Sequence, residues 1–239
     1  MTVSINLDEA PYRAMHAVLL YGQRRPSYAS VHNVEVDASG GLTIEAGVPA
    51  TVAGLRTLFD RLDPSRMVKP TFCEQNILSQ GPGWLVWWMK PQTRRVWFSN
   101  AQIKTETAEV PHPGLVFAVT GRSWRVFAVK GRTRPRPGTM LFQAHYWNVW
   151  KGGAICVGSA QVPTAGIRAE PAEWEKCFFD SSFTHANVHG PNELVKYRGG
   201  SVKFWQAMLK GKFNAFPLEV LVPAKMTVTD LLRQVGGEL

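Results

Sequence analysis

The chain has 239 residues, 45% hydrophobic and 19% charged, enough to bury a sizeable core in one large domain or two small ones. Its formal net charge of +9 leans toward an acidic partner: nucleic acid, an anionic surface or an acidic protein. No run of about 18 apolar residues is present and MTVSINLDEA is no secretory signal, so neither a membrane span nor export is expected.

The first elements read as a small α/β unit. Residues 12–21 (YRAMHAVLLY) suit a strand. Residues 31–36 alternate, and the ASGG step at 38–41 turns them into residues 42–45, which predicts a hairpin. Then the period changes: Val52, Leu55, Leu58, Phe59 and Leu62 share one helical face, Thr51 is placed to cap it and Pro64 to end it. Residues 1–66 are expected to form an N-terminal extension packed on a core at 67–239, with 63–70 as the joint.

From Trp84 the chain becomes a run of strands. Residues 84–89 are expected to pair through Pro91-Gln92 with 94–98, and 115–120 through Gly121-Arg122 with 124–129. Residues 131–138 (GRTRPRPG) hold two prolines and two glycines and read as a basic loop. Helices follow. Pro171 suits a first helical position, with Trp174, Cys177 and Phe178 on one face. Ser201 is placed to cap a second helix, residues 218–222 read as a strand or extended segment, and residues 227–235 as a last helix closed by Gly236.

Chemistry concentrates at residues 145–157, HYWNVWKGGAICV. Lys151-Gly152-Gly153 supplies a turn that folds Asn148 back toward Cys156. A thiol facing an amide suits acyl transfer: sulfur attacks a carbonyl and the amide N–H donates to the oxyanion that forms. The three cysteines Cys73, Cys156 and Cys177 have no metal-ligand spacing and leave at least one unpaired, which favours a reducing, cytoplasmic setting. Cys177 reads as a packing residue, and Cys73 has no supporting context.

Asn148, Val149, Gly153, Ile155 and Cys156 fall without a gap on the pattern of ubiquitin-conjugating enzymes, in which a His-Pro-Asn element precedes the thioester cysteine. Tyr146 and Trp147 stand where that pattern has His and Pro. With this departure, and with residues 178–185 (FFDSSFTH), the chain resembles prokaryotic family D of these enzymes and protein B of the PRTRC cassette. The resemblance implies an α+β fold: a ubiquitin-conjugating-like core, an antiparallel meander sheet flanked by helices, here with an N-terminal α/β extension. It implies a carrier that takes a small ubiquitin-like protein from a ThiF-like adenylating protein as a thioester on Cys156 and passes it to an amine. A ParB-like protein belongs to the same type of cassette.

Other residues carry two readings each. His185 suits proton acceptance from an amine, and equally a surface or capping role. Trp147 and Trp150 flank Asn148 and read either as core or as exposed contact residues. His145 and His189 are weaker candidates, and His112-Pro113-Gly114 reads as an ordinary turn. Residues 110–169 contain no Asp or Glu, so Arg132, Arg134 and Arg136 are candidates to dock an acidic partner, protein or nucleic acid. No cofactor or metal is expected, because no phosphate loop, metal motif or Gly-x-Ser-x-Gly element occurs. Two rivals to the carrier stand: a hydrolase using Cys156, His185 and Asn148, and a non-catalytic basic binding module.

Overall fold

The computed structural model describes residues 14–36, 41–62, 74–121, 123–158, 160–190 and 192–237. The chain divides into two compact units, Met1–Phe72 and Cys73–Leu239. The turn at 37–40, the joint at 63–70 and Cys73 lie outside the described residues.

The first unit is built on one long strand. β1 (His16–Tyr21), β3 (Leu42–Ile44) and β4 (Val48–Pro49) all pair antiparallel with β2 (Tyr28–Val36). Helix α1 (Val52–Leu62) follows, and the Thr51 hydroxyl accepts the Gly54 N–H at 3.0 Å, satisfying one of the donors that a helix start leaves free.

The second unit is a mixed α+β structure around a six-stranded antiparallel sheet. In chain order its strands are β5 (Ile77–Gly81), β6 (Trp84–Met89), β7 (Gln92–Asn100), β8 (Lys104–His112), β9 (Gly114–Thr120), β10 (Trp124–Val129), β11 (Met140–Gln143), β12 (Ser182–Phe183) and β13 (Pro223–Thr227). The large sheet runs β13-β11-β10-β9-β6-β5. The expected hairpin of residues 115–120 with 124–129 is present as β9–β10.

The expected pairing of 84–89 with 94–98 is not. β6 pairs with β5 and β9, whereas β7 pairs with β8 along its whole length and, in parallel, with the short β12. Burial explains the split. β6 (WLVWWM) and β9 (GLVFAVT) bury both faces and need neighbours that do the same, whereas β7 alternates buried and exposed residues and suits a two-sided ribbon.

Alternate residues of the large sheet feed two cores. Trp87, Phe117, Val126 and Ala128 face one core with residues of α2 (Pro171–Phe179) and α3 (Gly200–Leu209), including Trp174, Phe178, Phe204 and Trp205. Val86, Val116, Ala118 and Phe127 face the other, with Val228, Leu231 and Val235 of α4 (Val228–Gly237). Helices on both faces are why these strands read as continuous apolar runs.

Helix starts differ in part from expectation. Pro171 opens α2, with Glu170 and Glu173 forming a reciprocal capping box. α3 is capped by Gly199 in a left-handed conformation, φ 90°, so Ser201 lies inside the first turn and is not the cap. Residues 218–222 hold a short 3-10 turn, Leu218–Val220, and the strand starts at Pro223. Thr227 and Asp230 cap α4 reciprocally, which lowers the Asp230 pKa through the hydrogen bonds from Thr227. Among the described residues no helix is long and apolar enough to cross a membrane.

Beneath the central segment lies a buried aromatic knot that holds two histidines. His112, far from an exposed turn residue, is 2% exposed and its Nδ1 lies 2.7 Å from the Tyr146 hydroxyl. His145 is fully buried among Tyr146, Trp205 and Phe216, and neither ring nitrogen has a protein partner. Desolvation pushes His112 from 6.5 down to about 3, and desolvation with the nearby His112 holds His145 well below 6.5. Both rings are neutral in the fold and gain a proton on unfolding below pH 6.5, so their contribution is complete above that pH and is lost as pH falls. Each contributes a slope of up to about 1.4 kcal/mol per pH unit. Glu175 acts in the opposite sense, because burial raises its pKa despite the Arg94 partner. Denaturant midpoints measured from neutral pH down to about 5 should therefore fall steeply in the parent. His145→Phe should be more stable at neutral pH, since it removes two orphaned nitrogens, and should lose stability with acid at a clearly shallower slope; an unchanged slope would remove His145 from this account.

Candidate functional site

The segment that follows β11 is shaped by the edge of β10. β11 pairs with the second half of β10, Phe127 to Gln143 and Ala128 to Phe142. The chain then leaves the sheet, turns at Lys151-Gly152-Gly153 and returns to the first half of the same edge. There the Val126 N–H donates to Gly153 O at 2.9 Å and the Ile155 N–H to Trp124 O at 2.8 Å. Gly152 and Gly153 hold φ of 88° and 86°, the left-handed region. Gly153 also has no room for a side chain, because a Cβ would fall 2.6 Å from the Phe127 ring.

Within this hairpin Val149 faces Ile155, and the Cys156 N–H donates to Asn148 O at 2.7 Å. Asn148 and Cys156 are thus cross-strand partners, and partners across an antiparallel ladder present their side chains to one face. Cys156 is a free thiol, half-buried. Asn148 is 8% exposed and held from both ends of its amide. Its Nδ2 donates to Ser182 O at 2.8 Å and its Oδ1 accepts the Thr184 N–H at 3.3 Å. A carbonyl on one side and an N–H on the other fix which amide atom is which, and leave one Nδ2 hydrogen uncommitted by these bonds.

His185 joins the same group through its neighbour. The exposed imidazole has Nδ1 2.8 Å from the Thr184 hydroxyl, which lies 3.5 Å from Asn148 Oδ1. β12 carries this corner into place, because Ser182 and Phe183 pair with Trp97 and Phe98 of β7. His189 is exposed, whereas His145 is in the knot described above.

Two residues that the sequence did not single out organise the hairpin. Gln143, 4% exposed, donates from Nε2 to Trp150 O at 3.1 Å and accepts the Gly152 N–H at Oε1 at 3.3 Å. Thr184 links Asn148 to His185. A strand-end glutamine and a threonine beside a histidine have no distinguishing spacing, so only the folded geometry reveals them.

Trp147 departs from a contact role. It is 1% exposed and meets Phe98 edge-on, ring centroids 5.4 Å apart, so it is a core residue. Trp150 is 48% exposed beside the turn, where Lys151 and Glu193 form an exposed pair at 3.5 Å. Cys177 is half-buried, its thiol donates to Gln161 O, and burial together with Asp180 and Glu173 raises its pKa, which disfavours thiolate.

The basic loop lies elsewhere. Arg132, Arg134 and Arg136 are exposed, but Arg134 donates from Nε to Gln75 O at 3.0 Å and from Nη2 to Ile77 O at 2.8 Å, at the β5 edge. That edge is three strands from β10, about 14 Å across the sheet at the usual spacing. Arg134 is therefore held on the far side of the sheet from the edge where the cysteine hairpin docks.

Searches of curated proteins and of solved structures found no match. The profile of prokaryotic E2 family D matches residues 54–224, more than half of the chain. The match begins inside α1, crosses into the second unit and takes in the whole hairpin and the β12 corner. The chain belongs to prokaryotic E2 family D.

Proposed function

We propose that the protein is a ubiquitin-conjugating-like carrier that holds a small ubiquitin-like protein as a thioester on Cys156. The observation that carries this reading is the pairing of a half-exposed thiol with a braced asparagine across a two-glycine turn. Family membership supports it, since an E2-type protein works between an activating enzyme and a ubiquitin-like modifier. The donor we infer is a ThiF-like adenylating protein, in the setting of a PRTRC-type cassette where this chain would be protein B.

In the first step the Cys156 thiolate attacks the carbonyl of an acyl adenylate, and AMP leaves. In the second an amine attacks the thioester carbonyl and Sγ leaves as thiolate. The amine's proton passes to a base, for which we assign His185, the imidazole linked to Asn148 through Thr184. The oxyanion of each tetrahedral step takes the free Nδ2 hydrogen of Asn148. The bonds to Ser182 and Thr184 fix the amide beforehand, so little reorganisation is needed when charge develops.

Mixing the protein with its adenylating partner, ATP and the modifier tests this. A conjugate that added thiol cleaves is expected, with none on Cys156→Ala; a conjugate that persists on the alanine variant would sink the reading. Cys156→Ser should give nothing or a thiol-resistant oxygen ester. A hydrolase would instead release modifier to water without an amine, and a binding module would form no conjugate.

Asn148→Ala should load but discharge to an amine about 100-fold to 1000-fold more slowly. Gln143→Ala should slow discharge less while lowering stability by about 1 to 3 kcal/mol, since the Trp150 carbonyl and Gly152 N–H lose their partner. Equal discharge by the Asn148 variant and the parent would leave the amide a structural brace only.

The basic loop is proposed as a separate docking surface for an acidic partner, a ParB-like protein or nucleic acid. Arg134 has a structural task, so the variant that tests docking is Arg132→Glu with Arg136→Glu. Association should slow more than dissociation and weaken with salt, because exposed charges are screened beyond about 10 Å at about 0.1 M. Unchanged binding kinetics in the double variant would exclude the loop.

A further inference from the structure

A cavity of about 420 Å³ lies on the β5 and β6 side of the large sheet, across β9 from the β10 edge where the cysteine hairpin docks. Its walls include Asn76, Trp88, Lys90, Arg94, Arg134 and Glu175. The cysteine hairpin meets β10 at Trp124 to Val126, level with Leu85 to Trp87 of β6, whereas the cavity lies at the end of β6 and the start of β7. The volume is in the range of small-molecule sites.

Two of its wall residues carry buried polar side-chain atoms without a protein partner: Asn76 Oδ1 and Arg94 Nε. Folded proteins pair nearly all such atoms, so their gathering around one cavity calls for a cause. Charge points to one. Lys90, Arg94 and Arg134 face Glu175 as the only carboxylate in the wall, and Glu175 is already engaged. Its Oε2 accepts from Arg94 Nη2 at 2.5 Å and its Oε1 from Trp87 Nε1 at 3.2 Å. Among the described residues neither Lys90 nor Arg134 has an ion-pair partner, although Glu74 lies close enough to raise the Glu175 pKa.

The cations are also held in place. The Arg94 guanidinium lies over the Phe179 ring, 5.2 Å from its centroid, and Arg134 is fixed by the Gln75 and Ile77 carbonyls. A guanidinium fixed before binding loses little freedom when it takes an oxyanion. Met89, on the same face of β6 as Trp87, supplies an apolar wall.

We infer that this cavity binds a small organic anion. A carboxylate or phosphate ester is held by Arg94, Arg134 and Lys90, and its flat or aliphatic body rests against Met89. The site is independent of the thioester reading, because its occupation is read without any conjugation.

The test follows the indole N–H resonances of the nine tryptophans in the full chain, with Trp87, whose Nε1 donates to Glu175 in the cavity wall, identified by Trp87→Phe. Phenyl phosphate, benzoate and the neutral benzyl alcohol are titrated in turn. Saturable shifts of the Trp87 resonance are expected with both anions and not with the alcohol. Tighter phenyl phosphate assigns a phosphate ester, and tighter benzoate a carboxylate. Lys90 is exposed, so Lys90→Glu should keep the parent's melting temperature while weakening the anion about tenfold, and added salt should weaken it further. No saturable shift, equal response to the alcohol, or a Lys90→Glu affinity equal to the parent's would each overturn the inference.

Discussion

The outer edge of β10 is shared between two segments, and this sharing determines where the thiol lies. β11 takes Phe127 and Ala128, and the cysteine hairpin takes Trp124 to Val126. A strand edge offers its N–H and C=O groups at fixed intervals, so the hairpin docks in one register or not at all. Cys156 and Asn148 are therefore placed by backbone hydrogen bonds of the central sheet. Their alignment depends on the most buried part of the molecule, where β9 has every residue buried.

The side-chain bracing adds a second level of order. Asn148 is tied to the β12 corner and Gln143 to the turn, so the hairpin is held from outside and from below. The knot of His112, Tyr146 and His145 beneath it is fully enclosed and its imidazoles are neutral. Burial there raises the Tyr146 pKa and lowers both histidines, which removes them from proton transfer near neutral pH. Such a layer supports the site without competing chemically with it.

Much of this arrangement was legible in the residues, for identifiable reasons. The two-glycine turn and the spacing of Asn148 to Cys156 are local, and local geometry is what a sequence encodes most directly. The same holds for Thr51 as the α1 cap, Pro171 as the start of α2 and the β9–β10 hairpin. What escaped was non-local. That β6 turns away from β7 follows from two-sided burial, which depends on helices more than 80 residues later in the chain. Trp147 and His112 lie in the core because of partners such as Phe98 and Tyr146, which no window around either residue reveals. The cap of α3 moved from Ser201 to Gly199 because a left-handed glycine set the entry instead of a side-chain oxygen.

Phe127 occupies the space that a Cβ on Gly153 would need, and on its own side it belongs to the core closed by Val228, Leu231 and Val235 of α4. One aromatic ring is thus both a floor for the glycine turn and part of the bed of a helix near the end of the sequence. A load applied to α4, such as a bulky fusion, a surface attachment or a ligand that pries the helix from the sheet, reaches the cysteine hairpin through that ring. The orientation in which the protein is immobilised or tagged is consequently a variable of thiol presentation, and attachment through α4 is the one to avoid.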